Sequence, residues 1–511
     1  MKKSLVMLVS AILIGAVVLL GKKQPQGNGG WKVGRGKRRI AFIEVGTFVA
    51  QIYALFHMPR LGPVLLATIL KKLGYETKVF VERKKNSLNW AYLVSADAVC
   101  ISTTTETAPR AYRIADKLRE KNVLVIMGGV HATACPEEAL KHCSVVVRQE
   151  GDETLPELLK AIFAGMGVEN VRGISYRSDD GRVVHNSDRS PIEDQDDLPV
   201  PDFSLIDGFV PGFGWQKLRL VFLKAIGLYF LPLSSSRGCP YGCTFCSVLQ
   251  VFGRKYRAKT PVKVIEEMED LARYTDAIFF VDDNVGVRPE RLEEVCYRKL
   301  TRPWLKKLSF TLQVRAELAL KHPELVTLLG QAGCTRVYIG FESADQKTLE
   351  AVNKKQQAGD MKKVVEIFQE AGIKVHGMFV IGFDTDDKSS FDKTLEFARE
   401  IGADTVQFLA LSMLPGTEMY AEMKAAGRLI ESVSWEEVDG FNVTFRPKQM
   451  SPRELQMGIL KITQEFYNRD FLKRSWRTEG PVFALIFYFY VKFWTAKLRG
   501  DFEKYFQKHQ I

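Results

Sequence analysis

Three cysteines stand close together in the chain and set the first question about its chemistry. Cys239, Cys243 and Cys246 lie within the segment RGCPYGCTFCSV. The chain has only eight cysteines in 511 residues, which is too few for a disulfide scaffold, and a chain this long can bury its own core without cross-links. Clustered thiols indicate a metal site, and soft thiolates select zinc, copper(I) or an iron–sulfur cluster.

The number of thiols separates these alternatives. A structural zinc site uses four protein ligands, usually as two pairs, but the sequence has no second CxxC pair, and each of its seven histidines lies more than 50 residues away from the three cysteines. A cubane cluster held by three cysteines leaves one iron without a protein ligand, open to a substrate or cofactor. Gly238, Pro240 and Gly242 allow the loop to wrap closely around an inorganic core. The sequence therefore favours the cluster over zinc.

The spacing C-x3-C-x2-C, with Phe245 directly before the last cysteine, resembles the radical S-adenosylmethionine (SAM) enzymes. This resemblance implies that the three cysteines hold a [4Fe-4S] cluster and that the amine and carboxylate of SAM bind the fourth iron. It also implies that Phe245 lies on the adenine side of SAM. One electron, from a donor such as flavodoxin or ferredoxin, would then cleave SAM to a 5′-deoxyadenosyl radical, so the cofactor carries the chemistry.

Helical and strand patterns alternate after the cysteines, which predicts a parallel sheet. Six such units over residues 234–430 match the partial (β/α)6 barrel of the radical SAM enzymes. Barrels of this kind place their chemistry at the carboxyl ends of the strands. The polar or turn-forming residues predicted there, as SAM contacts, are Asp282, Asp283 and Asn284 after the second strand, Arg315 after the third, Gly340, Glu342 and Ser343 after the fourth, and Pro415 after the sixth. For each of them, a capping or turn role is the alternative.

An earlier α/β domain is predicted over residues 39–170. Its alternating elements indicate a doubly wound, flavodoxin-like open sheet, which binds ligands at the carboxyl ends of its strands near a topological switch. Small and hydroxyl residues in the loops there let a bulky cofactor approach the backbone. The candidate residues are Thr103, Thr104, Glu106, Gly128, Gly129 and Gly151.

The segments MPRLGPVLLATILKKLG, GGVHAT and EGDET, placed ahead of the barrel, resemble the cobalamin-binding domain of the cobalamin-dependent radical SAM family. Relatives in that family include the anaerobic magnesium-protoporphyrin ester cyclase and hopanoid-modifying enzymes. The Asp-x-His-x-x-G motif that supplies an axial histidine in other cobalamin proteins is missing. The resemblance therefore implies cobalamin without a protein histidine ligand, with His57 or His131 as the less favoured substitutes.

The amino terminus predicts a membrane anchor over residues 1–21. Ser4 to Leu20 is an uncharged stretch of 17 residues, at the short limit for a bilayer span. A cleaved signal peptide is the alternative, but no small-x-small cleavage site precedes the lysines at 22 and 23. Two cations precede the stretch and seven follow it by residue 39, so the positive-inside rule leaves the body of the chain in the cytoplasm. Residues 22–38 form a basic, flexible linker.

Two later segments also look membrane-seeking. Residues 213–232, within a linker predicted over 171–233, and residues 480–500, within a helical region predicted over 431–511, mix aromatic residues with cations as the headgroup zone favours. A helix packed on the barrel is the alternative for the second segment. The net charge of +12 fits an anionic lipid surface. No nucleic-acid module appears, so no nucleic-acid partner is expected.

These features together predict a radical SAM enzyme that methylates, cyclises or couples an unactivated carbon of a hydrophobic, lipid-like substrate at the membrane. An RNA-modifying methylthiotransferase is one alternative, and it would need an auxiliary cluster and an RNA module. A non-catalytic membrane protein with a structural cluster is another, and it would need a fourth protein ligand on the metal.

Overall fold

The computed structural model describes residues 37–47, 58–83, 87–209 and 230–511. The predicted anchor at 1–21, most of the linker at 22–38, His57, and residues 213–229 of the first aromatic segment lie outside these residues. The described chain forms two α/β domains, each around its own sheet, followed by a helical carboxyl-terminal region.

The first domain is built on a seven-stranded sheet with the order β2-β1-β3-β4-β5-β6-β7. The first five strands are parallel to one another and follow the flavodoxin-like order, with the topological switch between β1 and β3. The strands are β1 Arg39–Glu44, β2 Glu76–Val81, β3 Ala98–Ser102, β4 Leu124–Gly128, β5 Val145–Val147, β6 Ile174–Arg177 and β7 Val183–His185.

Helices cover both faces of this sheet, as doubly wound folds require. Successive residues of β1 point to opposite faces: Ile40 and Phe42 join one buried cluster, and Ala41 and Ile43 join another. The helices are Leu61–Lys72, Trp90–Ser95, Ala108–Arg119, Val130–Ala134, Pro136–Ala139 and Thr154–Phe163. The antiparallel strands β6 and β7 extend the sheet into a stretch where the sequence predicted a linker.

The second domain is a curved sheet of six parallel strands with helices on its outer face, as the sequence predicts. Its order is β15-β14-β13-β12-β11-β8. The strands are β8 Leu231–Leu233, β11 Ala277–Phe280, β12 Ser309–Val314, β13 Cys334–Glu342, β14 Lys374–Ile381 and β15 Thr405–Ala410. A short antiparallel ladder, β9 Ser236–Arg237 with β10 Arg257–Ala258, closes the loop that carries the three cysteines. The helices are Val248–Val251, Pro261–Leu271, Pro289–Leu300, Glu317–Lys321, Pro323–Gln331, Gln346–Ala351, Met361–Glu370, Ser389–Glu400 and Glu418–Ala425.

The carboxyl-terminal region consists of the helices Pro452–Phe466, Arg469–Thr478 and Pro481–His509. The first begins at a capping box of Ser451 and Glu454 and packs on β15. The last is, among the described residues, the one helix long and apolar enough to cross a membrane by length and composition. Its carboxyl-terminal half is anchored on the protein by buried residues from Val491 to Phe506.

Candidate functional site

The loop of the three cysteines is fixed at both ends by the β9–β10 ladder. Arg237 pairs with Arg257 across this ladder, so the loop leaves and re-enters the protein at one place. Gly238 has a φ of +84°, and a Cβ at this position would stand 2.3 Å from the carbonyl oxygen of Lys255. Only glycine fits this turn, because another residue would meet the opposite arm of the loop.

The three thiols are reduced and partly exposed. The amide of Cys246 donates to the carbonyl of Cys243, 3.1 Å away. At least one pair of the three sulfur atoms is more than 4.8 Å apart among the described residues. All thiolate ligands of one tetrahedral zinc ion would stand about 3.8 Å apart, at a Zn–S length of about 2.3 Å. Wider spacing suits the larger cubane, and the donor set therefore fits a [4Fe-4S] cluster.

Neighbouring strand ends hold the backbone of this loop from outside. The guanidinium of Arg315 lies over the ring of Tyr241, 3.8 Å from its centre, and is itself held by Glu317, with Nη2 to Oε1 at 2.6 Å. Asn353 donates from Nδ2 to the carbonyl of Gly242 at 3.0 Å. The sequence predicted Arg315 as a SAM contact, and the structure places it against the cysteine loop with its charge paired.

Asp282, Asp283 and Asn284, which follow β11 closely, have different surroundings. Asp282 is buried and accepts hydrogen bonds from the amide and hydroxyl of Ser235, at 2.9 and 2.8 Å, and from the hydroxyl of Ser236, so it fixes the chain leading into the cysteine loop. Asn284 caps the next turn by accepting from the amide of Gly286 at 3.3 Å, which is the alternative role considered above.

Asp283 lies between these two residues in the chain and is partly buried. Burial, with a smaller contribution from the charge of Asp283, raises the pKa of the Cys239 and Cys246 thiols. Burial, reinforced by the charge of Asp282, raises the pKa of Asp283 to about 7. A cation bound next to such a carboxyl group would stabilise its ionised form. Asp283 is therefore the residue of this segment best placed to accept from an ammonium group beside the cluster loop.

The end of β13 is strained. Glu342 has a φ of +62° and coincides with a shift in the pairing register between β13 and β14. Its carboxylate binds the ammonium of Lys354 at 2.8 Å, and a Cβ on Gly340 would come within 2.3 Å of that carboxylate. Ser343 accepts from the amide of Asp345 at 3.1 Å. A non-glycine residue held in this conformation at a strand end is typical of a functional site.

The turn after β15 faces the cysteine loop. Gly416, directly after Pro415, lies against the side chain of Gln250, where a Cβ would meet Oε1 at 2.5 Å. Both polar atoms of Gln250 and the hydroxyl of Thr244 are buried without a hydrogen-bond partner. Buried polar groups of this kind usually have partners, so a ligand that offers donors and acceptors fits this turn. Phe245 packs toward Phe383, with 5.9 Å between ring centres.

The concave face of the barrel is largely apolar. On β13, Val337 and Ile339 are fully buried against the helices, so the alternate residues face inward. Those residues are only partly buried, and Tyr338 contacts Phe279 across the strands with ring centres 5.4 Å apart. The inward positions of these strands are Phe279, Gln313, Tyr338, Gly340, Met378, Val380 and Leu409.

The loops predicted to bind cobalamin meet at the carboxyl edge of the first sheet. Gly129 has a φ of +97°, and a Cβ there would stand 2.5 Å from the carbonyl oxygen of Thr103. The hydroxyl of Thr103 is buried and donates to the carbonyl of Gly128 at 3.0 Å. Thr104 bonds to Thr107 in the adjoining turn. The structure thus brings Thr103, Gly128 and Gly129 together, with Thr104 and Glu106 in the same loop.

His131 and Gly151, at the same edge, have different surroundings. His131 is fully buried, and its ring lies next to Glu138 and the ring of Trp435. Its side chain therefore contacts other protein groups. A Cβ added to Gly151 would lie 3.5 Å from the side chains of Leu66 and Val147, which is ordinary van der Waals contact.

A buried ion network joins the two domains beside Gly151. Glu150 and Asp152 extend from the first domain, and Arg237 and Arg257 from the ladder at the base of the cysteine loop. Arg237 binds Asp152 in a fork at 2.8 and 3.1 Å, and Arg257 Nη1 reaches Glu150 at 3.1 Å. The carboxyl edge of the first sheet therefore lies next to the cysteine loop.

Sequence reasoning missed several of these positioning residues. Tyr241 and Arg237 lie within or directly beside the cysteine motif, which was the available signal. Gln250 and Lys354 lie outside the motifs that the sequence shows, and only the fold places them against the strand-end residues Gly416 and Glu342.

Comparisons with known proteins agree with this geometry. Residues 233–398 match the radical SAM superfamily and residues 50–159 match the B12 binding domain. The chain is 30% identical to an uncharacterised methyltransferase of Pyrococcus horikoshii, over 73% of this chain and 79% of that protein. It is 27% identical to the bacteriochlorophyllide d C-12(1)-methyltransferase of Chlorobaculum tepidum, over 80% and 82%.

Two further relatives match the expectation from the sequence. The anaerobic magnesium-protoporphyrin IX monomethyl ester cyclase of Rubrivivax gelatinosus is 26% identical, over 85% of this chain and 78% of that protein. The hopanoid C-2 methylase of Rhodopseudomonas palustris is 25% identical, over 66% and 59%. Among solved structures, the cobalamin-dependent SAM radical enzyme OxsB shares the fold, with a TM-score of 0.69 at 15% identity over 93% of this chain and 76% of that one.

Proposed function

Because this chain belongs to the radical SAM enzymes that carry a B12-binding domain, we propose that it modifies an unactivated carbon of a hydrophobic molecule, either a lipid or a tetrapyrrole, by methylation, cyclisation or coupling. The cofactors of this enzyme type are a [4Fe-4S] cluster, SAM and cobalamin. When bound, they supply an organic radical that removes a hydrogen atom and a methyl donor for the carbon that loses it.

The chain's own residues bind and orient these groups. Cys239, Cys243 and Cys246 hold three irons and leave the fourth open. Asp283, a partly buried carboxyl group on the turn after β11, accepts from the SAM ammonium. The unpaired Gln250 amide, at the Pro415–Gly416 turn, binds the polar edge of the nucleoside.

The remaining residues predicted at this site keep the binding surface in shape. Arg315 covers the cysteine loop through Tyr241, and Glu342 holds the strained end of β13 through Lys354. Asp282, Asn284, Gly340 and Ser343 complete these strand-end turns. In the first domain, Gly128 and Gly129 admit cobalamin close to the backbone, with Thr103, Thr104, Glu106 and Gly151 around it.

One observation carries the proposal. The partly exposed thiols stand at the carboxyl end of the barrel, and the buried pair of Arg237 and Asp152 sets the carboxyl edge of the first sheet beside them. A SAM-derived radical and a cobalamin methyl group can act on one substrate carbon only if both cofactor sites adjoin the same space.

A hydrophobic substrate is supported by the apolar concave face of the barrel and by a surface stripe on the last helix. Val482, Leu485, Phe489 and Phe493 are exposed at 60%, 38%, 63% and 74%, and their spacing of three or four residues places them on one side of that helix. We infer that this stripe rests on the cytoplasmic face of a membrane, to which residues 1–21 tether the chain. A flavodoxin or ferredoxin supplies the electron from the cytoplasm.

The test uses the full chain, purified without oxygen and reconstituted with iron, sulfide and hydroxocobalamin. We expect reductive cleavage of SAM to 5′-deoxyadenosine, abolished by Cys239→Ala, Cys243→Ala or Cys246→Ala. Cys334→Ala, a buried thiol away from the loop, is the matched control and keeps activity. Cleavage that survives loss of one loop cysteine contradicts the cluster assignment.

The substrate class has its own test. Lipid and pigment extracts of a deletion strain are compared with the parent by mass spectrometry, and nucleosides from total RNA are profiled in parallel. We expect one extractable hydrophobic compound to lack a methyl group or a ring, with RNA unchanged. A missing RNA modification with unchanged extracts contradicts the proposed substrate.

A further inference from the structure

His131, Cys135 and Glu138 form a compact group of ligands away from the cysteine loop. One ligand atom from each residue lies within 4.8 Å of the others, and no other described trio of such residues is as close. His131 lies on the short helix Val130–Ala134, Glu138 on the next helix Pro136–Ala139, and Cys135 between the two. Their spacing of four and three residues places all three side chains on one side of this short stretch of chain.

The imidazole of His131 is oriented as a metal ligand. Its side chain is fully buried, and Nε2 has no hydrogen-bond partner, a rare condition for a buried ring nitrogen. Nδ1 lies 3.3 Å from the hydroxyl of Thr105. A second polar group on the far ring nitrogen is the usual arrangement for a ligating histidine, because it fixes the ring and leaves the other nitrogen for the metal.

The distances suit a small tetrahedral ion. His131 Nε2 lies 3.6 Å from Glu138 Oε1, which is too long for a hydrogen bond. Nitrogen and oxygen ligands at about 2.0–2.1 Å from tetrahedral zinc stand about 3.3–3.4 Å apart, so a movement of a few tenths of an ångström completes that pair. Glu138 also accepts from Trp435 Nε1 at 3.0 and 3.1 Å, and each carboxylate oxygen retains a lone pair for an ion.

We propose that His131, Cys135 and Glu138 bind one zinc ion, separate from the iron–sulfur cluster. A thiolate, an imidazole and a carboxylate are the ligands that zinc takes in proteins. Calcium and magnesium are disfavoured, since they prefer oxygen ligands alone. The fourth position is left open to a water.

The position of the group indicates what the ion does. His131 follows Gly128 and Gly129 in the loop assigned to cobalamin, whereas Trp435 belongs to the region after the barrel, and its ring packs on His131 with centres 5.2 Å apart. A metal here fixes the glycine loop against the second domain. The site does not depend on the proposed reaction, because its ligands and its partners lie outside the thiol loop.

The experiment measures metals on the full chain, reconstituted anaerobically so that iron fills the cluster site, then incubated with one equivalent of zinc and desalted. We expect one zinc per chain beside about four irons. His131→Ala and Cys135→Ala should each lower zinc at least tenfold and leave iron unchanged. Zinc X-ray absorption should show one sulfur neighbour at about 2.3 Å, lost in Cys135→Ser.

Cys143→Ala is the matched control, because this thiol is buried in the same domain without such partners, and it should keep both metals. Circular dichroism on each variant reports whether the fold is kept. Wild-type protein with less than a tenth of a zinc per chain overturns the site. Full zinc binding by folded Cys135→Ala protein overturns it as well, and neither result affects the test for SAM cleavage.

Discussion

Arg237 and Asp152 form a forked ion pair, at 2.8 and 3.1 Å, between the strand that leads into the cysteine loop and the carboxyl edge of the first sheet. Both side chains are almost completely buried. Arg237 follows Asp152 by 85 positions, and the chain between them includes parts of both domains, so this contact sets where one cofactor domain stands relative to the other. A buried pair of charges serves this purpose because it tolerates little displacement.

Arg237→Ala should destabilise the chain by about 3–5 kcal/mol, since it leaves Asp152 buried with its charge uncompensated. Denaturant unfolding of the protein measures the change. Arg182→Ala removes a pair on the surface, where Arg182 is 81% exposed, and should cost about 1 kcal/mol or less. Equal effects of the two substitutions would contradict a role in joining the domains.

The stacking of Arg315 on Tyr241 predicts a graded response in the cysteine loop. Tyr241→Phe keeps the aromatic face and should leave SAM cleavage within about twofold. Tyr241→Leu loses a cation–π contact of about 0.5–2 kcal/mol, so we expect weaker iron retention and a KM for SAM raised roughly fivefold. Iron analysis and initial rates measure these effects. Leucine and phenylalanine variants with the same KM would show that the contact does not shape the site.

Gly129→Ala should abolish cobalamin binding, because the new Cβ would stand 2.5 Å from Thr103 and the φ of +97° disfavours alanine. Gly165→Ala separates the two causes: it also has a positive φ, of +68°, but no atom lies within 4 Å of its Cβ. It should cost about 1 kcal/mol and keep cobalamin. Gel filtration with absorbance detection measures the retained cofactor. Retention by folded Gly129→Ala protein would move the cobalamin site away from this loop.

The sequence predicts the strands of both domains well, because their cores are continuous apolar runs such as those of β1 and β14. It predicts β6 and β7 poorly, since strands of four and three residues carry almost no periodic pattern. The sequence also did not distinguish the roles of Asp282 and Asp283. The two carboxylates are adjacent in the chain and extend in different directions. Only the fold, which brings Ser235 to Asp282, shows that Asp282 is the carboxylate that is hydrogen-bonded inside the protein.

The sequence likewise did not predict which side chains pair with each other between the two domains. Glu150 and Asp152 belong to the segment EGDET, which resembles the cobalamin-binding domain, whereas their carboxylates bind arginines that come 85 or more residues later. Contacts between domains follow from the docking of two completed folds, and local sequence patterns do not record that docking.

Asp386 predicts a pH dependence of stability. Burial raises its pKa to about 6, against the lowering effect of the amides of Gly382 and Phe383 that donate to it. A raised native pKa means that the native state holds a proton that the unfolded state has lost, so this group's stabilisation is lost as the pH rises from about 4 to above 6.

Asp386→Asn keeps an oxygen for both amides and removes the charge. The variant should therefore gain on the order of 1–3 kcal/mol over the wild type at pH 8 and little at pH 4. Anaerobic thermal unfolding at the two pH values measures this difference. Asp387→Asn is the neighbouring control, since a hydrogen bond from Ser389 lowers the pKa of Asp387, and it should show no gain at pH 8. A pH-independent effect of Asp386→Asn would contradict the buried charge.

The exposed stripe on the last helix predicts binding to a lipid surface. A chain that begins at residue 37, without the amino-terminal anchor, should still sediment with vesicles that contain anionic lipid. Phe489→Ser with Phe493→Ser should weaken this binding roughly tenfold or more, because each phenyl group gains about 1.5–3 kcal/mol when it leaves water. Val262→Ser, at an apolar residue exposed at 47% on a different helix, should bind as the parent does. If the double variant and Val262→Ser lose vesicle binding equally, or if the double variant loses none, the stripe has no role in membrane binding.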